Sequence, residues 1–260
     1  MLTSRLLNKT VVLVAFIIMV AVNIMANAIP INGVTTGQVS NSYPNLFAPA
    51  AYTFAIWGVI YVLLAMYTIY QLVYKDTKYN DLLNKVGVLF SISSIANALW
   101  VLAWHNFMIP FTMILMAVIL VCLILISGII NSCNLSTLER IFIRLPFSVY
   151  FGWITVATIA NATTLLVSLG WESFGLAATI WTIVVLIIGM VIGTSVINKY
   201  TDFAYGLTLI WAYYGILVKH ISNNGFNGQY PLIIATVIVC IIIFIVTIIN
   251  LFIIKKNKML

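Results

Sequence analysis

The stretch NSYPNLFAPAAYTFAIWGVIY, Asn41 to Tyr61, begins as an uncharged loop with Pro44 and Pro49 and ends as an apolar helix carrying Phe54, Trp57 and Tyr61. A loop that runs without charge into a row of aromatics needs a setting, and composition supplies it. Of the 260 residues, 63% are hydrophobic and only 7% charged, and the mean hydropathy is +1.15. Soluble domains are about a quarter charged. Apolar runs reach the roughly 20 residues that a helix needs to cross a hydrocarbon core about 30 Å thick. They lie near 11–29, 50–73, 86–106, 110–131, 145–168, 174–198, 203–219 and 231–254. The expected fold is therefore all-α, a polytopic membrane helix bundle of about eight transmembrane helices.

Eight spans put Arg5, Lys9, Lys75, Lys78, Lys85, Arg140, Arg144, Lys199, Lys255, Lys256 and Lys258 on one side and Lys219 alone on the other. The positive-inside rule makes the first side cytoplasmic, with both termini there. The net charge of +7 is thus spread over separate loops and implies no nucleic-acid partner. Cys122, Cys133 and Cys240 lack metal-type spacing and read as small hydrophobes, and no metal site is expected. The first run, with Arg5 and Lys9 before it and Ala26-Asn27-Ala28 after it, also has signal-peptide features. It is read as an uncleaved span.

The loop Pro30 to Ala48 has no Lys, Arg, Asp or Glu and is rich in Asn, Ser, Thr and Gly, residues that form turns. A connection of that length without its own helix reads either as a lid or as a solvated connector. The acidic residues Asp76, Asp81, Glu139, Glu172 and Asp202 fall in loops or at span ends. Ion-coupled carriers usually need ionisable relays inside the membrane. None is seen, which disfavours a pump and leaves a facilitator or exporter of a small apolar or amphipathic solute as an alternative.

The spans carry amides and indoles instead. Ser93, Asn97, Trp100 and Trp104 share a helical face, as do Phe54, Trp57 and Tyr61, and Tyr150, Trp153 and Asn161; Asn23 and Asn27 are one turn apart. Counted inward at about 1.5 Å per residue, Asn23, Trp57, Asn97 and Asn161 lie roughly 10–14 Å below the outer surface. A buried amide without a partner costs a few kcal/mol, so these groups must meet one another, water or a ligand. Interhelical hydrogen bonding and a ligand pocket both satisfy that requirement.

Three blocks resemble the tryptophan-rich sensory protein or translocator protein family (TspO/MBR, peripheral-type benzodiazepine receptor). They are PNLFAPAAYTFAIWGVIY with Pro44, Pro49, Trp57 and Tyr61; IANALWVLAWHN with Asn97, Trp100 and Trp104; and LPFSVYFGWITVATIAN with Trp153 and Asn161. The blocks keep the family's order over roughly residues 10–168. Tyr43 stands where the family usually has lysine, and Pro146 lies seven residues before Trp153 instead of four, which puts a helix start or kink there in question. The family core has five spans, so the resemblance implies such a core over 1–170 with three additional spans packed on it over 171–260, as in a longer bacterial branch.

The resemblance implies a receptor or sensor in the bacterial cytoplasmic membrane that binds a hydrophobic, tetrapyrrole-like molecule under the 30–48 loop. Porphyrin or haem is the implied ligand, not a required cofactor, and membrane lipids are the other partners. The expected ligand-binding residues are Asn23, Pro44, Pro49, Phe54, Trp57, Tyr61, Asn97, Trp100, Trp104, Tyr150, Trp153 and Asn161. Some relatives are associated with light-dependent porphyrin breakdown, but no catalytic constellation is found, because His105 and His220 lie at span ends without nearby carboxylates. Gly189 and Gly193 form a GxxxG that suits close helix packing or a homodimer.

Overall fold

A computed structural model describes residues 2–75, 78–171 and 177–257. Asp76, Glu172 and Lys258 lie outside the described residues, as do the side chains of Arg5, Asn27, Lys255 and Lys256. Among the described residues the chain is helical and without strands. Its helices are α1 (Leu2–Ala28), α2 (Thr36–Asn41), α3 (Ile56–Val73), α4 (Asn80–His105), α5 (Ile109–Asn131), α6 (Thr137–Glu139), α7 (Leu145–Ser168), α8 (Ala178–Tyr200), α9 (Phe203–Ile221) and α10 (Pro231–Asn257). Short 3₁₀ turns, Ile31–Gly33 and Ala51–Ala55, precede α2 and α3.

Among the described residues, seven helices are long and apolar enough to cross a membrane. They match seven of the eight expected runs, and the protein is a multi-pass membrane protein. The remaining run is the 19-residue helix α9, whose Tyr205, Tyr213, Tyr214, Lys219 and His220 lower its hydropathy. Exposed Val, Ile and Leu cover the outer faces of the spans, as a lipid environment demands.

The 30–48 loop does contain a helix of its own. Thr35 caps α2 by accepting from Gln38 N at 3.3 Å, while the Gln38 side chain accepts from Thr35 N at 2.7 Å. This reciprocal capping box satisfies two amides that a short helix would otherwise leave open.

A π-helical turn, Arg140–Arg144, leads from α6 into α7. Pro146 has no N–H to give to the carbonyl of Phe142, and its ring would crowd that carbonyl in a regular α-helix. The wider turn just before it lets the helix continue without a break.

The chain forms two compact units. The first comprises Met1–Ser42 and Ile56–Ile154, the second Tyr43–Ala55 and Thr155–Leu260. In the first, α1 packs on α4, α4 on α5, and α1 on α3. Lys9 extends from α1 to the end of α3, donating to Leu72 O at 2.8 Å and Tyr74 O at 3.0 Å. A cation is favoured there because the last carbonyls of a helix are unpaired and carry its negative end. In the second unit α10 packs on α8 and α9.

Glycine sets the spacing in the second unit. A Cβ on Gly189 would stand 2.5 Å from Tyr213 Oη, and one on Gly193 would stand 2.8 Å from Phe244 Cε1. The GxxxG therefore packs α8 against α9 and α10 of its own chain.

Candidate functional site

Of the twelve expected site residues, Asn23, Trp57, Tyr61, Asn97, Trp100, Trp104, Tyr150 and Trp153 belong to the first unit. Pro44, Pro49, Phe54 and Asn161 belong to the second.

Six of the eight form one connected cluster. Asn23 on α1 donates to Asn97 Oδ1 on α4 at 2.8 Å and to Met19 O of its own helix at 2.9 Å. Asn97, buried, donates from Nδ2 to the Tyr150 hydroxyl on α7 at 3.4 Å. The Tyr150 ring meets Trp57 on α3 edge to face, with centroids 6.0 Å apart. Trp57 also meets Trp153 edge to face at 6.2 Å and stacks on Tyr61 at 5.5 Å. Four helices thus supply an amide pair, a phenol and three further rings. The two asparagines pair with each other across helices, as buried amides must in lipid.

Trp57 and Tyr61 are half-buried, whereas Tyr150 and Trp153 are buried. Edge-to-face contacts between Trp57 and its neighbours leave indole faces oriented differently around one region, an arrangement suited to planar apolar guests. Among the described residues no group of His, Cys, Asp or Glu is arranged to hold a metal.

Trp100 and Trp104 form a second stack, with centroids 5.2 Å apart. Trp104 Nε1 donates to Thr36 O at 3.1 Å, which fastens the start of α2 to the end of α4. Asn32 Nδ2 donates to His105 O at 3.1 Å. His105 Nδ1 lies 2.8 Å from Val101 O, a carbonyl that only accepts, so Nδ1 carries the proton and Nε2 receives the Thr36 hydroxyl at 3.4 Å. His105 is a structural tie. Thr36 and Asn32, which composition does not single out, are the anchors of this half of the loop.

The other half of the loop belongs to the second unit. Asn45 Oδ1 accepts from Phe47 N and Ala48 N at 3.1 and 2.9 Å, shaping a turn that buries Phe47. Pro44 is exposed, while Pro49 and Phe54 are half-buried. His220 Nε2 donates to Leu46 O at 2.9 Å, Ala50 N donates to Gly215 O at 3.0 Å, and Trp211 Nε1 donates to Thr53 O at 3.0 Å. Helix α9 therefore holds the segment from Leu46 to Thr53 along three of its turns. Asn161 is buried in the same unit.

A separate groove of about 610 Å³ lies on the first unit between α1, α4 and α5. Val14, Ile18, Ile92, Ile95, Leu99 and Leu115 line it, and none of the twelve expected residues does.

A family model described as TSPO-like protein matches residues 9–250. The chain belongs to this TSPO-like family. The match runs from α1 into α10, so the last three helices lie inside it together with the Asn23 to Trp153 cluster. Comparison with curated proteins and with solved structures gives no match.

Proposed function

We propose that this TSPO-like protein is a membrane receptor or sensor that binds a hydrophobic, tetrapyrrole-like small molecule against the Trp57 cluster of the first unit. The observation that carries this reading is the junction of an interhelical amide chain, Asn23 to Asn97 to Tyr150, with the ring group of Trp57, Tyr61 and Trp153. A large planar ligand gains affinity by covering ring faces, and a few fixed polar groups orient it. Family membership supports a sensing role.

The test is titration of the purified protein with protoporphyrin IX while tryptophan fluorescence is followed. Saturable quenching is expected, and Trp57→Phe and Asn97→Ala should each weaken it by about tenfold, equivalent to 1.4 kcal/mol of binding energy. Quenching that does not saturate, or that both variants leave unchanged, would remove the reading.

The setting proposed for this role is the bacterial cytoplasmic membrane, with both termini inside. With α9 taken as a span beside the seven longer or more apolar helices, the cation distribution supports it, since eleven of the twelve Lys and Arg residues then fall on one side. Alkaline phosphatase fused to the C-terminus should be inactive; an active fusion would reverse the orientation.

A further inference from the structure

Below the Trp57 cluster, the interior of the first unit carries polar atoms that neither the fold nor the ligand reading uses. Tyr67 is fully buried, and its ring packs edge to face on Phe90 of α4 at 5.5 Å and on Phe147 of α7 at 4.8 Å. Its hydroxyl has no hydrogen-bond partner among the described residues. The same holds for Gln71 Nε2, one turn further along the buried face of α3, and for Ser94 Oγ on α4. Their relative exposures are 0% for Tyr67 and Ser94 and 1% for Gln71. Tyr61, whose ring belongs to the Trp57 cluster, carries a fourth buried hydroxyl without a hydrogen-bond partner among the described residues, nearer the start of the same helix.

These atoms share a seam. Tyr67 meets Phe147 while Trp57 meets Trp153, so α3 and α7 run in opposite directions. Phe90 meets Phe147 while Asn97 meets Tyr150, so α4 and α7 run in the same direction. A helical side chain leans toward the N-terminus of its own helix. The Tyr67 hydroxyl therefore leaves the level of Phe90 and Phe147 toward the next turn, which on α4 holds Ser94 and on α7 holds Tyr150.

Satisfied polar groups are the rule in protein interiors, and in lipid no solvent relieves an exception. Three orphans on adjacent turns of one seam call for a common partner. We infer that the seam between α3, α4 and α7 is a site for bound water, a file reaching from Tyr61 past Ser94 and Tyr67 to Gln71. Ten residues of helix separate Tyr61 from Gln71, about 15 Å, or half the hydrocarbon core. Hydroxyls both give and accept, and the Gln71 amide gives, so each rung offers water one of the two to four partners it requires. No charge lines the seam among these four groups, which suits water. The site stands whether or not a porphyrin binds above it.

Radiolytic hydroxyl labelling tests this on the full chain in phosphatidylcholine and phosphatidylglycerol nanodiscs prepared in ¹⁸O water. Tyr213 is the control, because it is equally buried and its hydroxyl donates to Leu186 O at 2.8 Å. Bound water next to Tyr67 generates radicals in place, so ¹⁸O incorporation at Tyr67 should exceed that at Tyr213 several-fold. Incorporation no greater than at Tyr213 overturns the proposal. Tyr67→Phe and Ser94→Ala supply a second reading: in a hydrated seam each lowers the thermal midpoint by roughly 2–4 °C, whereas a rise overturns it. If neither variant folds, the labelling of the unaltered protein decides alone.

Discussion

The two units solve the same problem, the burial of tyrosine among apolar helices, in different ways. In the second unit the hydroxyl of Tyr205 donates to Thr155 Oγ1 at 3.1 Å, and that of Tyr213 donates to Leu186 O at 2.8 Å. Glycines at 189, 193, 206 and 215 bring backbones and side chains so close that a Cβ at any of them would meet a neighbour within 3 Å. In the first unit large rings meet edge to face between α3, α4 and α7, and the hydroxyls of Tyr61 and Tyr67 remain without protein partners among the described residues. Packing by glycine makes a closed scaffold. Packing by rings leaves polar tips without protein partners.

The sharpest way to break that contrast is to add one methyl group to each unit. At Gly215 a Cβ would overlap the Thr53 side chain, with Cγ2 at 2.6 Å. Thr53 cannot retreat easily, since it is short and β-branched, its N–H donates to Ala50 O, and its carbonyl accepts from Trp211. Gly215→Ala is expected to cost about 1–3 kcal/mol through overpacking. At Gly58, on α3 of the first unit, a Cβ meets nothing within 4 Å. Gly58→Ala should therefore stabilise by roughly 0.5–1 kcal/mol, because alanine loses less backbone entropy in a helix. Thermal midpoints in detergent would move in opposite directions. If both variants move together, spacing by glycine is not what distinguishes the units.

The spans are legible in the sequence because the membrane itself dictates runs of about 20 apolar residues. The level shared by Asn23 and Asn97 is legible from helical rise, and the structure joins those two at 2.8 Å. Helix α2 is less visible, though its signal is present: Thr35 and Gln38 stand at capping-box spacing inside a stretch that otherwise reads as turns. The orphan groups are not legible. Tyr67 and Gln71 look like an ordinary aromatic and an ordinary span-end amide, and only the placement of α4 and α7 shows that no partner is supplied. The division of the loop is hidden for a similar reason. Thr36 and Asn32 tie it to α4, whereas Leu46, Ala50 and Thr53 tie it to α9, and partners so far apart in the chain leave no local trace.

A smaller effect refines the contrast at a single atom. Tyr213→Phe removes one hydroxyl from the second unit without changing the ring, which continues to meet Phe244 edge to face at 5.1 Å. The lost bond is worth about 0.5–1.5 kcal/mol, and two considerations place the cost at the lower end. Leu186 O is a mid-helix carbonyl with an N–H partner of its own, so it is not stranded when the hydroxyl goes. The ring edge is also packed against Gly189, where the absence of a Cβ leaves Tyr213 Oη 2.5 Å from the position that one would occupy. Deleting the hydroxyl therefore opens a gap of one oxygen atom that α8 can close by a small shift. A loss well above 1.5 kcal/mol would mean that the hydroxyl positions α8 against α9 and does not merely fill the space that glycine leaves. A gain in stability would show that the second unit is strained where it is tightest, and that its close packing is a cost accepted to fix the helices in place.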